Sequence, residues 1–478
     1  MKIDLCLKFW EAEFSKGKLT GEGIMAKSTT QRMTEGSPLK LILGFSIPML
    51  AGLLFQQMYN LVDTIIVGQI LKDQALAAVG STGSINFLIN GFCMGMCSGF
   101  AIPVAQRFGA ESYDSMRKFV GNAIVLSAIF SIVITLVVSI FCYNILEIMQ
   151  TPPEIIDLAY AYISIIFFGI PVTFLYNLTA GIMRSLGDSR TPTYFLIMAA
   201  SLNVVLDIVF IMVLKMNVEG PAIATVISQF VAGGSCVIYM KKKFPILKLA
   251  KSDLKLGRHH GSTLIAMGIP FGLQYSVTAI GSVVLQTAVN GLGTMAVAAM
   301  TAGAKLSMFV VCPFDALGGT MATYAGQNVG AKNIPRVKKG TWTAQMLGTI
   351  YAVVILVILF FTGRHLLTMF TETAEVIDKA MMFLLANAVT YTLLAAVNIF
   401  RFSIQGMGFS TFAIYSGVME MVARILVAFT FVPRIGFAGA IWASPVAWLF
   451  AVLFLIPGFY GCCNKLEKKY AAENCHHL

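Results

Sequence analysis

The chain alternates between apolar runs of bilayer length and short polar breaks. Such runs cover Leu39–Val67, Ala75–Val104, Phe119–Cys142, Leu158–Met183, Thr191–Leu214 and Pro221–Met240. After a longer polar stretch they resume at Thr263–Val289, Ala296–Tyr324, Thr341–Phe361, Ala380–Phe402, Phe412–Val432 and Gly439–Tyr460. A helix needs roughly 20 mostly apolar residues to cross the hydrocarbon core, whereas a barrel strand needs about 10 with alternating polarity. The pattern predicts an all-α integral membrane protein with about twelve transmembrane helices. They form two pseudo-symmetric six-helix bundles, residues 39–240 and 263–460. A linker over 241–262 joins them, and tails over 1–38 and 461–478 flank them.

Composition supports the class. Of 478 residues, 57% are hydrophobic and 12% charged, against roughly 25% charged in soluble domains. The net charge of +11 would suggest nucleic acid in a soluble protein, but its distribution has a different meaning here. Of the 34 Lys and Arg, 27 fall in or beside the segments on one side of the membrane, Arg401 among them. Five lie on the other side: Lys72, Lys215, Arg364, Lys379 and Arg434. Lys305 and Arg424 fall inside spans. Basic residues mark cytoplasmic loops, so both termini are expected in the cytoplasm of a multi-pass plasma-membrane protein with no nucleic-acid partner. The nine cysteines show neither a paired framework nor metal spacing, and Cys93 and Cys97 read as small packing residues. Residues 1–38 lack the apolar core of a signal peptide. The first 24 read as a disordered basic tail, with Met25 as an alternative start.

The two bundles repeat one another. Gln106 with Gly109-Ala110 returns as Gln327 with Gly330-Ala331, an offset of 221 residues. Arg117-Lys118 and Lys338-Lys339, Glu154…Asp157 and Glu375…Asp378, and Gly187 and Gly408 share that offset; Pro48 and Pro270 differ by 222. Six spans per repeat give both halves the same orientation, related by an axis along the membrane normal. Channels also duplicate, but such a pair suits alternating access about a central cavity.

Two carboxylates stand out against this apolar background. In the first span Gln56, Tyr59 and Asp63 share a helical face, and in the fifth Asn203 and Asp207 do the same. Thr225 lies in the sixth, within GPAIAT. Ionisable groups at bilayer depth are costly and usually face a cavity or a partner. Converging faces would hold a hard cation such as Na⁺ through oxygen ligands, or a proton between two acids. The plainer reading is that each acid bonds a neighbouring helix. The positions matching Asp63 and Asp207 in the second half are Leu285 and Ala428. There Glu420 and Arg424 form an i, i+4 pair, either structural glue or a substrate contact. Asp315 would attract a cationic substrate or meet water near a helix end. Lys305, ten residues away, would snorkel or pair elsewhere. No P-loop lysine motif, nucleophile–base pair or metal cluster is present, so neither an ATPase nor another enzyme is expected.

These residues resemble the multidrug and toxic compound extrusion (MATE) family across positions 38–460. The resemblance rests on IPMLAGLLFQQMYNLVDTIIVG, the AQRFGA and AGQNVGA pair, MRSLGDSRTP, NVVLD and GPAIAT. It implies two six-helix lobes in a V and export of organic cations and amphipathic drugs by antiport. It also implies a cation site in the first lobe, matching Asp63, Asn203, Asp207 and Thr225, with no cofactor beyond a coupling Na⁺ or H⁺. Gln56, Tyr59, Asp315, Lys305, Glu420 and Arg424 are further candidates for the cavity or substrate. A monomer in contact with membrane lipid is expected. The acidic second-lobe site of some branches should be absent, because the seventh and tenth spans contain no Asp or Glu. The wider superfamily also contains flippases of lipid-linked saccharides. Such a protein would present several cations to its cavity to hold pyrophosphate, and only Lys305 and Arg424 offer themselves here.

Overall fold

The computed structural model describes residues 32–475, and within them the chain is helical with no strand. The expected tail over residues 1–31 lies outside the described residues. The first half comprises α1 (Pro38–Leu71), α2 (Gln74–Gly109), α3 (Tyr113–Ile140), the bent pair α4a (Ile156–Phe168) and α4b (Ile170–Ser185), α5 (Arg190–Val213) and α6 (Glu219–Lys243). The second comprises α7 (Arg258–Asn290), α8 (Thr294–Gly330), α9 (Ile334–Leu367), α10 (Ala374–Gly406), α11 (Thr411–Thr430) and α12 (Phe437–Glu473). Among the described residues, ten single helices are long and apolar enough to cross a membrane, and α4a–α4b, bent by 44°, makes an eleventh span. The shorter α11 carries Glu420 and Arg424 on 20 residues.

Each lobe has its own apolar core. One gathers Phe100, Phe119, Phe167 and Phe174, and the other Phe314, Tyr324, Tyr391 and Phe400. α1 crosses between them: Ile42 and Phe45 pack into the second core, while its later turns lie on α5. α7 reciprocates by packing along α2. Glycines permit that approach, since a Cβ at Gly95 or Gly99 would sit 2.7 or 2.6 Å from the carbonyl oxygens of Phe271 and Met267.

The lobes meet most closely on the face that bears both described chain ends. There the duplicated motif folds against its own copy. A Cβ on Gly109 would lie 1.9 Å from the Gln327 carbonyl oxygen, and one on Gly330 would lie 1.8 Å from that of Gln106. The side chains reciprocate: Gln106 Nε2 donates to Gly406 O at 2.9 Å, and Gln327 Nε2 to Ser185 O at 2.8 Å. Matching turns share even their unusual torsions. Glu111 and Lys332 have φ of 56° and 57°, and Gly187 and Gly408 have 89° and 99°. The segment before α1 joins this contact, with Met33 N donating to Gln327 Oε1 at 2.8 Å and Arg32 paired with Glu111 at 2.5 Å.

Two stretches that read as polar connections are ordered. The α6–α7 linker is strapped onto α3 by the buried Asn122, whose Nδ2 donates to Asp253 O and Lys255 O at 3.3 and 3.2 Å. Asn122 Oδ1 accepts from Gly257 N at 2.8 Å. α12 continues beyond Tyr460 because its polar turns find partners. Glu467 and Glu473 each pair at 2.8 Å, with Lys338 and Lys332, and Tyr470 donates to Val329 O at 3.1 Å.

Candidate cation site

Three helices of the first lobe bring their polar positions together. Asp63 of α1 and Asp207 of α5 are in side-chain hydrogen-bonding contact. Asp207 is fully buried and Asp63 half-buried. Asn203, one turn before Asp207, orients its amide so that nitrogen donates to Asp207 Oδ2 at 3.0 Å and oxygen accepts from Thr225 N at 3.2 Å. The opposite orientation would face donors to donors and acceptors to acceptors. The Thr225 hydroxyl lies 3.4 Å from the same amide and also hydrogen-bonds with Tyr59. Gln56 is half-buried and takes no part in the hydrogen bonds described for this cluster.

Two features were not legible in the residue pattern. Tyr162 of α4a, itself buried, is close enough to interact with Asp63, Tyr59 and Asp207. A lone tyrosine in an apolar run carries no signal that separates a site wall from core. Secondly, α1 winds into a π-helical turn over Val67–Leu71, shortly after Asp63, and α5 does so over Val209–Val213, directly after Asp207. Such turns interrupt regular backbone pairing and recur at functional positions.

The chemistry of this cluster follows from its donors. Asp63 Oδ1 and Asp207 Oδ1 are buried with no hydrogen-bond partner. Buried polar atoms are nearly always satisfied, and unpaired carboxylate oxygens are especially costly. Two carboxyl groups in contact need a proton between them or a cation beside them. The oxygens of Asp63, Asp207, Thr225 and Tyr59 form a set suited to a small hard cation.

The second lobe is wired differently from the expected pair. Glu420 does lie 3.5 Å from Arg424, but its closer partner is Arg401 of α10, which also donates to Ser416 Oγ at 2.9 Å. Arg401, counted above among the basic loop residues, is buried inside the lobe because Glu420 and Ser416 meet its donors. Its signal was present: Asn398, Arg401 and Gln405 fall at i, i+3 and i+7, a polar face on an apolar helix. Asp315 is not at a helix end. It sits within α8, exposed, with its Oδ1 accepting from Asn398 Nδ2 at 3.0 Å. Lys305 is also exposed, and among the described residues no ion pair joins it to Asp315.

A family model described as MatE matches residues 48–209 and again 270–430, once in each lobe. The chain belongs to the MatE family. Its double match follows the internal duplication. The probable multidrug resistance protein YoeA of Bacillus subtilis (strain 168) is 28% identical over 449 residues, covering 90% of this chain and 95% of its own length. An FAD transporter of Shewanella oneidensis is 24% identical over 365 residues, covering 76% and 80%. An outward-facing multidrug resistance MATE family transporter superposes with a TM-score of 0.86 at 22% identity, over 92% of this chain and 99% of that one. The chain is therefore a multi-span transporter and not an enzyme.

Within this MatE protein the Arg401–Glu420–Arg424 cluster has a structural consequence that can be measured. Replacing Arg401 with methionine leaves Glu420 buried against a single, longer contact. Breaking a buried pair from one side costs about 3–5 kcal/mol. The midpoint of thermal unfolding in detergent should fall clearly for R401M. An unchanged midpoint would show that the cluster does not hold the lobe together.

Proposed function

We propose that this protein is a secondary multidrug exporter, driving amphipathic and cationic compounds outward against an inward flow of H⁺ or Na⁺. The observation that carries the reading is the contact between Asp63 and Asp207, with Oδ1 of each buried and accepting from no donor of the protein. Direct carboxyl–carboxyl contact favours the proton, since Na⁺ would have to part the two groups. The bias of Lys and Arg towards the face bearing the chain ends supports a cytoplasmic placement of that face in the plasma membrane. The lobes would then be closed on the cytoplasmic side in the state described. An ion drives the cycle only if it binds one state better than the other. The acid pair supplies that difference if the helices carrying it shift as the lobes rock.

Asp315 is the counterpart on the drug side. It is exposed within a membrane-spanning helix and fixed by Asn398, a setting that attracts a positively charged nitrogen. D315N is expected to reduce efflux of cationic dyes about tenfold while sparing neutral amphiphiles, since a close ion pair in a partly solvated setting contributes roughly 1.4 kcal/mol. Equal loss for both classes would remove Asp315 from cation recognition. The flippase reading loses ground because Arg401 and Arg424 are both committed to Glu420 and are not free to hold a pyrophosphate. The decisive experiment is drug efflux from proteoliposomes with Na⁺ and pH gradients imposed separately. Efflux that follows neither gradient would end the antiport reading.

A further inference from the structure

The first lobe has a further concave site, lined by none of the acid cluster's residues and by no residue of the second lobe. A cavity of about 620 Å³ lies between α3, α4b and the end of α6. That volume falls within the roughly 300–1,000 Å³ of small-ligand sites. Its walls are apolar along their length, with Ile124, Leu175 and Phe174 among them. Along α3 it extends from Val120 to Ile132, about 18 Å at the helical rise. Ile124 and Ile132 are exposed at its rim, as residues bordering lipid would be.

Its two ends differ. Towards the face bearing the chain ends, the strapped linker closes the floor with Phe244, Leu247 and Leu249, and there the lining includes Lys241 and Lys248, both exposed. Inside the groove Ser127 is buried, yet its Oγ has no hydrogen-bond partner. An apolar channel of this length, an unused hydroxyl in its wall and two ammonium groups at one mouth match a ligand with one long chain, ester oxygens and an anionic head.

We propose that this groove is a binding site for an anionic phospholipid of the cytoplasmic leaflet. One acyl chain lies between α3 and α4b, a glycerol-ester oxygen accepts from Ser127, and the phosphate rests on Lys241 and Lys248. Basic residues at the membrane surface contribute roughly 1 kcal/mol each towards anionic lipid. The site clamps the linker's first turn against α3 and so ties leaflet composition to the segment that joins the lobes.

Native mass spectrometry of the purified full chain, offered phosphatidylglycerol and phosphatidylcholine of equal chain length, tests this directly. Phosphatidylglycerol should be retained selectively. A K241Q/K248Q variant, altered only at exposed positions, should lose about thirtyfold in that retention, the equivalent of two such lysines. A128F, which fills the groove from an exposed position and keeps both lysines, should lose it as well. K468Q/K469Q, on the same face but away from the groove, should bind as the parent does. Equal retention of the two lipids, full retention by A128F, or an equal loss in K468Q/K469Q would each overturn the proposal.

Discussion

Asparagine at Asp63 or at Asp207 is expected to abolish ion-driven efflux, leaving proteoliposomes no more active than empty vesicles. The two positions should fail for the same reason. Each carboxyl has the other as its contact, and each has one oxygen with no protein partner. An amide removes the ionisable member of the pair while keeping its volume, so packing around Asn203 and Thr225 should survive. Drug binding in detergent, measured by dye polarisation, should therefore persist while gradient-dependent transport does not. The separation of the two readouts distinguishes a coupling role from simple misfolding. Gradient-driven efflux at the parental rate in either variant would return both acids to the plainer role of bonding neighbouring helices.

A comparably large effect is expected where the repeats cross. Alanine or valine at Gly330 would drive a Cβ towards the Gln106 carbonyl, and the same change at Gly109 would meet the Gln327 carbonyl. Both obstacles are backbone in long helices, so no side chain can swing aside. Overpacking of this kind typically costs about 1–3 kcal/mol, enough to invert a modest equilibrium between states. G330V should hold the lobes apart on the face bearing the chain ends. Spin labels on the exposed Asp114 and Lys339 should then report a longer, broader distance than in the parent, and efflux should fall at least about tenfold. Unchanged distances with unchanged efflux would mean that this contact does not gate the cycle. Substitution at Gly234, where a Cβ meets nothing within 4 Å, provides the control.

The sequence made the span pattern, the duplication and the four polar residues of the first-lobe cluster legible, for identifiable reasons. Bilayer length fixes the spans, and helical periodicity puts Tyr59 with Asp63 and Asn203 with Asp207 on shared faces. The shared offset of Gln106 and Gln327 showed that the motif was duplicated. It could not show that the two copies would touch, because contact between repeats depends on crossing geometry and not on spacing. Arg401 was misplaced because a charge near the end of an apolar run resembles a loop residue until its partner, nineteen positions on, is known. Asp315 stayed between two roles for a related reason: its partner Asn398 is on another helix. Tyr162 and the two π-helical turns had no signature at all, since the first depends on the bend in α4 and the others on how α1 and α5 finish.

The strap over α3 limits how the halves can move. Because Asp253, Lys255 and Gly257 are all moored to Asn122, and a Cβ on Gly121 would lie 2.2 Å from the Asp253 carbonyl, little free cord remains before α7 begins. A tilt of the second half must pull on α3 almost at once. The segment joining the two halves is a yoke and not a tether.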